Sequence, residues 1–204
     1  MFVKSKQLVV ALVLACTALS VNAATVEVAG IKYEDTVKLG GTDLRLNGAG
    51  IRYKAIFKVY AAGLYIKEKK STTADILALP GPKRVTLHFL RDVSNEDFGR
   101  GFMDGLRNNT DRTERAKFVG QYQRFGDMFA TIPELKKGDV IHVDWVPGSG
   151  TTLVHNGKRV IEPDPDPAFY NALLRIWLGE KPVDTSLRKA MLAEPPKVES
   201  DPYR

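Results

Sequence analysis

Residues 48–66 read GAGIRYKAIFKVYAAGLYI, and how this stretch is placed decides the fold. It is aliphatic and aromatic with glycine punctuation, the composition of strands set against a core. Arg52, near its start, breaks that pattern. A guanidinium keeps its proton in a protein, so it must reach water, pair with a carboxylate of the chain, or receive an anion from outside. If the stretch runs extended, Arg52, Lys54, Ile56, Lys58 and Tyr60 share one face, while Tyr53, Ala55, Phe57, Val59 and Ala61 line the other. The second set is the expected core face. The first is mixed, as suits either a solvated sheet surface or the floor of a cleft beneath helices.

Upstream of it, TVEVAGIKY alternates as a strand from Thr25, and Gly40-Gly41 separates it from DLRLNGAG, so three strands are expected by residue 66. Asn47-Gly48-Ala49-Gly50 reads as a glycine-rich turn between strand patterns. It opens no helix, which argues against a phosphate cradle. Downstream, a turn-rich loop from Ser71 to Pro82 leads to RVTLHFLR, another strand.

There the period changes. Ser94, with Asp97 three residues on, has nearly the form of a capping box, and Phe98, Phe102 and Leu106 follow at helical spacing. A second helix carries Phe118, Tyr122, Phe125, Phe129 and Ile132 as an apolar stripe, which is read as a core face. Gly99, Gly101 and Gly105 each cost the first helix up to about 1 kcal/mol relative to alanine. They fit a close approach of backbone or ligand, or a loose helix.

The strand pattern returns over GDVIHVDWVPGSGTTLVHNGKRVIE, with two or three strands and an Asn156-Gly157 hairpin turn. PDPDP then precedes the helix AFYNALLRIWLG, and a short helix follows near SLRKAML. Strands flanking a helical insert give one α+β domain with helices packed on an antiparallel sheet.

With 204 residues, 44% of them hydrophobic and 9% aromatic, the chain can build a sizeable single core. Residues 1–23 differ from the rest. Lys4 and Lys6, an apolar run from Leu8 to about Leu19, and Val21-Asn22-Ala23 form a signal-peptide pattern. This leaves a domain over 24–192 and a tail, 193–204, of disordered composition. The apolar run is too short to span a membrane, which needs about 20 residues, and no later segment comes close. The expected location is therefore periplasmic or secreted.

Loss of Lys4 and Lys6 lowers the net charge from +6 to +4, with basic and acidic residues interspersed. This balance argues against a nucleic-acid partner. Cys16, the only cysteine, falls within the signal, where Val13-Leu14-Ala15-Cys16 also weakly resembles a lipoprotein processing site. Ordinary cleavage after Ala23 leaves no thiol in the mature chain.

The usual catalytic constellations are missing from the sequence: no P-loop, no Rossmann glycine fingerprint, no HExxH. His88, His142 and His155 lie in or beside strands without ligand-like spacing. Ser149, in PGSGTT, lacks the flanks of a nucleophile elbow. Neither a metal nor a cofactor is called for.

GAGIR followed by KVYAAGLYI resembles the strand-pair signature of the chalcone isomerase-like superfamily, and LLRIWLGEKPVDTSLRKAML is similar to its closing helical segment. The resemblance runs from about Thr25 to Leu192. It implies an open-faced β-sandwich, a large antiparallel sheet with helices layered on it and a ligand cleft between. The family includes plant isomerases that close chalcones to flavanones, non-catalytic relatives, fatty-acid-binding relatives and bacterial exported members.

By this resemblance Arg52 matches the isomerases' arginine. Where they carry threonine, tyrosine, asparagine and threonine, this chain has Tyr60, Phe98, Gly105 and Ile176, so the catalytic set is largely replaced. An arginine and tyrosine pair holds a carboxylate in the fatty-acid-binding relatives, and Arg52 with Tyr60 is similar to it. The ligand-binding residues so implied are Arg52, Tyr60, Phe98, Phe102, Leu106 and Ile176, with Phe98, Phe102 and Leu106 along an acyl tail.

The implied function is an exported binding protein for a fatty acid or other amphipathic carboxylate, without chalcone isomerase activity. Two alternatives stay open. One is an isomerase or lyase acting on another conjugated carbonyl compound, with Arg52 polarising an oxyanion. The other is a structural or interaction protein in which Arg52 pairs internally.

Overall fold

TVEVAGIKY folds as a hairpin, not as one strand. β1 (Thr25–Val28) and β2 (Ile31–Glu34) pair antiparallel across Ala29-Gly30, both at positive φ (53° and 80°). The structure is a computed structural model and describes residues 25–132 and 134–193. The signal segment 1–23 with Cys16, and the tail beyond residue 193, lie outside the described residues.

The main sheet has seven strands in sequence order, each antiparallel to the next. They are β3 (Thr36–Leu39), β4 (Thr42–Lys54), β5 (Phe57–Ile66), β6 (Lys83–Phe89), β7 (Val140–Val146), β8 (Gly150–His155) and β9 (Lys158–Arg159). Tight turns join most neighbours. The β6–β7 connection instead holds the helical insert.

The helices are α1 (Thr73–Ala78), α2 (Asn95–Asn108), α3 (Arg112–Lys117), α4 (Val119–Thr131), α5 (Pro167–Leu178) and α6 (Thr185–Met191). Two expectations change here. The Ser71–Pro82 loop contains α1, started by the Thr72 hydroxyl accepting from Asp75 N. The second insert helix is broken at Phe118 into α3 and α4, with an Asp111–Glu114 capping box opening α3. Ser94 caps α2 as its spacing predicts, its hydroxyl accepting from Asp97 N at 3.1 Å.

Both faces of the sheet are covered, which is why β5 is buried along nearly its whole length. Tyr60, Ala62, Leu64 and Ile66 meet the helical layer. Ala61 and Tyr65 join Tyr33, Leu44 and Leu46 under the β1–β2 hairpin. Helix α5 is the centre of the helical layer, with Phe169, Leu173, Leu174 and Trp177 almost fully enclosed. The hairpin side also carries polar groups: Arg84 makes a bidentate pair with Asp144, both contacts at 2.6 Å, and Thr86 shares a 3.0 Å hydrogen bond with His142.

Asn47-Gly48-Ala49-Gly50 lies inside β4 and is not the turn its glycines suggest. The glycines form a seat for α6. A Cβ on Gly48 would stand 2.0 Å from the Ala190 carbonyl oxygen, and one on Gly50 would stand 2.7 Å from the Ala190 Cβ. Asn47 fixes the same contact by polar means. Its Nδ2 donates to Met191 O (2.7 Å) and Lys70 O (2.9 Å), and its Oδ1 accepts from Lys70 N (2.8 Å). A buried amide thus has its hydrogen bonds filled.

Two stability measurements test these contacts. Gly48→Ala forces α6 off its seat and is expected to lower the unfolding free energy by about 1–3 kcal/mol, a fall of several degrees in Tm. Gly126→Ala in α4, whose added methyl meets nothing within 4 Å, should be neutral or stabilising. The second concerns pH. Burial, with the Arg84 charge beside it, pushes the His142 pKa down to about 4 from an ordinary 6.5. Between those values the unfolded chain binds the proton and the native one does not, so stability falls as pH drops from about 6.5 toward 4. His142→Gln should flatten that part of a Tm-against-pH curve, and an unchanged slope would remove His142 as its source.

Candidate functional site

The 48–66 stretch turns back at Ala55-Ile56, with Ala55 at φ +53°. The single extended face expected for residues 52 to 60 therefore does not exist. Tyr53 and Phe57, assigned to the core on that basis, are 40% and 54% exposed. Arg52 and Tyr60 nevertheless meet, now as direct cross-strand partners.

A β-bulge sets their geometry. Arg52 pairs with Tyr60 and Tyr53 with Lys58, leaving Val59 as an extra residue on β5. Val59 and Tyr60 consequently both join the helix-side core, and alternation resumes at Ala61. The Tyr53 N–H next to the bulge donates to Asp184 Oδ2 at 2.8 Å, while Asp184 Oδ1 accepts from Leu187 N and starts α6. One carboxylate thus ties the bulge to the helix seated on β4.

Arg52 lies between Tyr60 and α2. Its guanidinium carbon is 5.4 Å from the Tyr60 ring centroid, a cation–π contact. A Cβ on Gly101 would stand 3.4 Å from Nη2, so the glycine lets α2 lie close over the charge. The other two α2 glycines serve helix packing: Gly99 faces Phe129, and Gly105 faces Ile176 and Val183. Tyr60 is 2% exposed and its hydroxyl accepts from Trp177 Nε1 at 3.0 Å. Burial raises its pKa, an effect the Arg52 charge and the Trp177 bond only partly oppose. The phenol therefore stays protonated and supports the guanidinium from below.

The arginine is short of partners. Its Nε is buried and makes no hydrogen bond, and among the described residues no carboxylate comes within 4.0 Å of the guanidinium. A buried donor left unfilled costs about 1–3 kcal/mol.

Arg52 opens onto a cavity of about 600 Å³, within the usual range for small-molecule sites. Ala55, Phe57, Val59, Val93 and Phe98 supply its apolar wall, and Gly101 its roof over the arginine. The charged residues around it are unequally engaged. Asp92 pairs with Lys136 (3.4 Å), Asp97 with Arg100 (3.8 Å) and Asp104 with Arg107 (3.3 Å). Lys54 and Arg91, like Arg52, have no carboxylate within 4.0 Å among the described residues; Arg91 lies 4.9 Å from the Phe57 ring centroid. The acids are thus paired while three cations are not, and the cavity suits an anion carrying an apolar part.

Of the six residues singled out from sequence, Arg52 and Phe98 line this cavity. Tyr60 lies beneath it. Phe102, Leu106 and Ile176 are 4%, 0% and 1% exposed and belong to the closed core, where Phe102 stacks on Phe125 at 5.6 Å and meets Trp177 at 6.1 Å. Sequence reasoning missed Arg91 and Val93, and it left Lys54 on a mixed face and Gly101 between a close approach and a loose helix. Arg91 carried a usable signal, because it ends the apolar run RVTLHFLR with a charge, the same kind of break that marks Arg52. Among the described residues no group of three or more His, Cys, Asp or Glu is placed to hold a metal, and no helix is long and apolar enough to cross a membrane.

An antiparallel meander layered with helices, with an arginine that lacks a carboxylate partner at an open cleft, defines a class of α+β protein. The chain belongs to the chalcone isomerase-like family, whose model matches residues 24–193. Among solved structures it is similar to the crystal structure of a fatty-acid binding protein from Arabidopsis thaliana. That likeness has a TM-score of 0.65 at 18% identity and covers 80% of this chain and 92% of the other, so it bears on the fold alone. No curated protein matches the chain.

The unfilled donor yields a stability test. If Arg52 is held ready for an outside anion, Arg52→Met in ligand-free protein loses its contacts with Tyr60, a cation–π contribution of about 0.5–2 kcal/mol among them, and gains by removing a charge that has no carboxylate partner. Its Tm should equal or exceed that of the wild type. A fall equivalent to more than about 3 kcal/mol, the size expected for breaking a buried ion pair, would show Arg52 to be structural.

Proposed function

We propose that this protein is an exported binding protein for a fatty acid or another amphipathic carboxylate, held at Arg52. The observation that carries this reading is the guanidinium without a carboxylate partner at a cavity that also has an apolar wall. A carboxylate can take two parallel hydrogen bonds from a guanidinium, each about 1.5–3 kcal/mol when charged groups are involved. Lys54 and Arg91 add positive potential at the same cavity. The tail lies along Val59, Val93, Phe98 and Phe57, contributing about 0.8 kcal/mol per buried methylene before ordering costs. Phe102 packs behind that wall, its ring 6.0 Å from Phe98.

Support for binding over turnover comes from the positions that resemblance matches to the isomerases' polar groups. They carry Phe98, Gly105 and Ile176, and a side chain added at 105 would meet Ile176 Cγ2 at 2.9 Å. The Arabidopsis neighbour, a fatty-acid binding protein, points the same way. Export rests on the signal pattern of residues 1–23. N-terminal sequencing of the protein recovered from its native compartment is expected to begin at Ala24.

Native mass spectrometry of the purified mature chain, followed by calorimetric titration of the delipidated protein with saturated fatty acids, tests the binding reading. The expected results are an acyl species bound one to one, a Tm raised by added acid, and an affinity lowered about 10- to 100-fold in Arg52→Gln. If no acyl ligand copurifies and no added acid shifts the wild-type Tm, the reading fails.

A further inference from the structure

The β4–β5 hairpin ends in Tyr53-Lys54-Ala55-Ile56-Phe57-Lys58, and its tip is apolar where a turn is normally polar. Ile56 is 83% exposed, Phe57 54% and Tyr53 40%, three of the five large exposed hydrophobics among the described residues. The other hairpin turns contain glycine: Ala29-Gly30, Gly40-Gly41, Gly148 between β7 and β8, and Asn156-Gly157. Here Ala55-Ile56 stands instead, although Ala55 must hold φ +53°, a conformation that favours glycine. The fold does not need this choice of residues, because Ile56 packs against almost nothing.

Around these side chains stand three cations. Lys54 pairs across the strands with Phe57 and Lys58 with Tyr53, while Arg91 lies over the Phe57 ring. None has a carboxylate within 4.0 Å among the described residues, and the nearby acids Asp92 and Asp184 are engaged by Lys136 and by the start of α6. Three side chains at one hairpin tip, Ile56 on the two-residue turn and Tyr53 and Phe57 in the strands beside it, are too small an area for a stable protein interface, which needs about 800 Å² on each partner. An apolar tip collared by unpaired cations matches the boundary between acyl chains and anionic headgroups.

We propose that this tip docks the protein on an anionic lipid bilayer, Ile56 and Phe57 entering the interface while Lys54, Lys58 and Arg91 meet the headgroups. Phe57 is also part of the cavity wall, so docking turns the cavity mouth toward the membrane. The passage of an acyl chain between bilayer and cavity rests on the binding reading above. The docking itself rests on the tip alone.

Vesicle flotation of the mature wild-type protein provides the test. With phosphatidylcholine vesicles containing about 30% phosphatidylglycerol, the protein should float at low salt, and much less with phosphatidylcholine alone or at high salt. Ile56→Asp and Lys58→Glu change residues outside the cavity wall. Each should lower vesicle partitioning about fivefold or more, with Tm and fatty-acid affinity in solution retained. Arg52→Gln should do the converse, losing acyl capture while still floating. Wild type that stays below the gradient with anionic vesicles overturns the proposal, as does Ile56→Asp that floats like wild type. Failure of wild type to bind any fatty acid leaves the flotation result to stand or fall by itself.

Discussion

The seating of α6 on the glycine row of β4 is the contact on which the cleft depends. Gly48 and Gly50 remove the side chains that would hold the helix away, Asn47 binds its last carbonyl, and Asp184 fastens its first turn to the Tyr53 N–H. These links join residues separated by 131 and 144 positions. They fix β4 at the point where the bulge redirects Arg52. With β4 held there and α2 laid over Gly101, the guanidinium has a defined place between a tyrosine ring and a helix backbone. If α6 were displaced, the bulge would lose an anchor and the arginine its fixed position.

The electrostatics of the cleft follow from unequal pairing. A surface with mixed charge usually satisfies itself, and here the acidic residues around the cavity do so through Lys136, Arg100 and Arg107. The cations at the inner end and mouth do not. Leaving a charged donor unfilled costs stability, and natural proteins keep such costs chiefly where a ligand offsets them. The outer face of the same sheet shows the opposite arrangement, where Arg84 and Asp144 satisfy each other in a bidentate pair.

Much of the architecture was legible because period and capping are local signals. Ser94, the Asn156-Gly157 turn, the Pro167 helix start and the helical stripe from Phe118 onward all fall where the sequence pattern puts them, apart from the break at Phe118 itself. What was not legible depends on contacts distant in sequence. Gly48 and Gly50 look like turn residues because glycine in isolation suggests a turn, whereas here they accept a helix more than 130 residues away. Ala55-Ile56 hides a hairpin because neither residue is a turn former, so the faces of residues 52 to 60 were assigned along a line the chain does not follow. Arg52 was found because a charge in an apolar run is anomalous by itself. Phe102 and Leu106 were placed on the tail path because apolar spacing cannot separate a cavity wall from a filled core, and Ile176 entered the site by resemblance alone.

The Trp177 indole donates its hydrogen bond to the Tyr60 hydroxyl, and the Tyr60 ring lies directly beneath the Arg52 charge. Only one other tryptophan, Trp145, is present in the chain, and it packs against Tyr170 instead. The protein therefore carries a built-in optical gauge of its own cleft. A change in the field around the guanidinium passes through one aromatic ring and one hydrogen bond to a fluorophore, without any label being added.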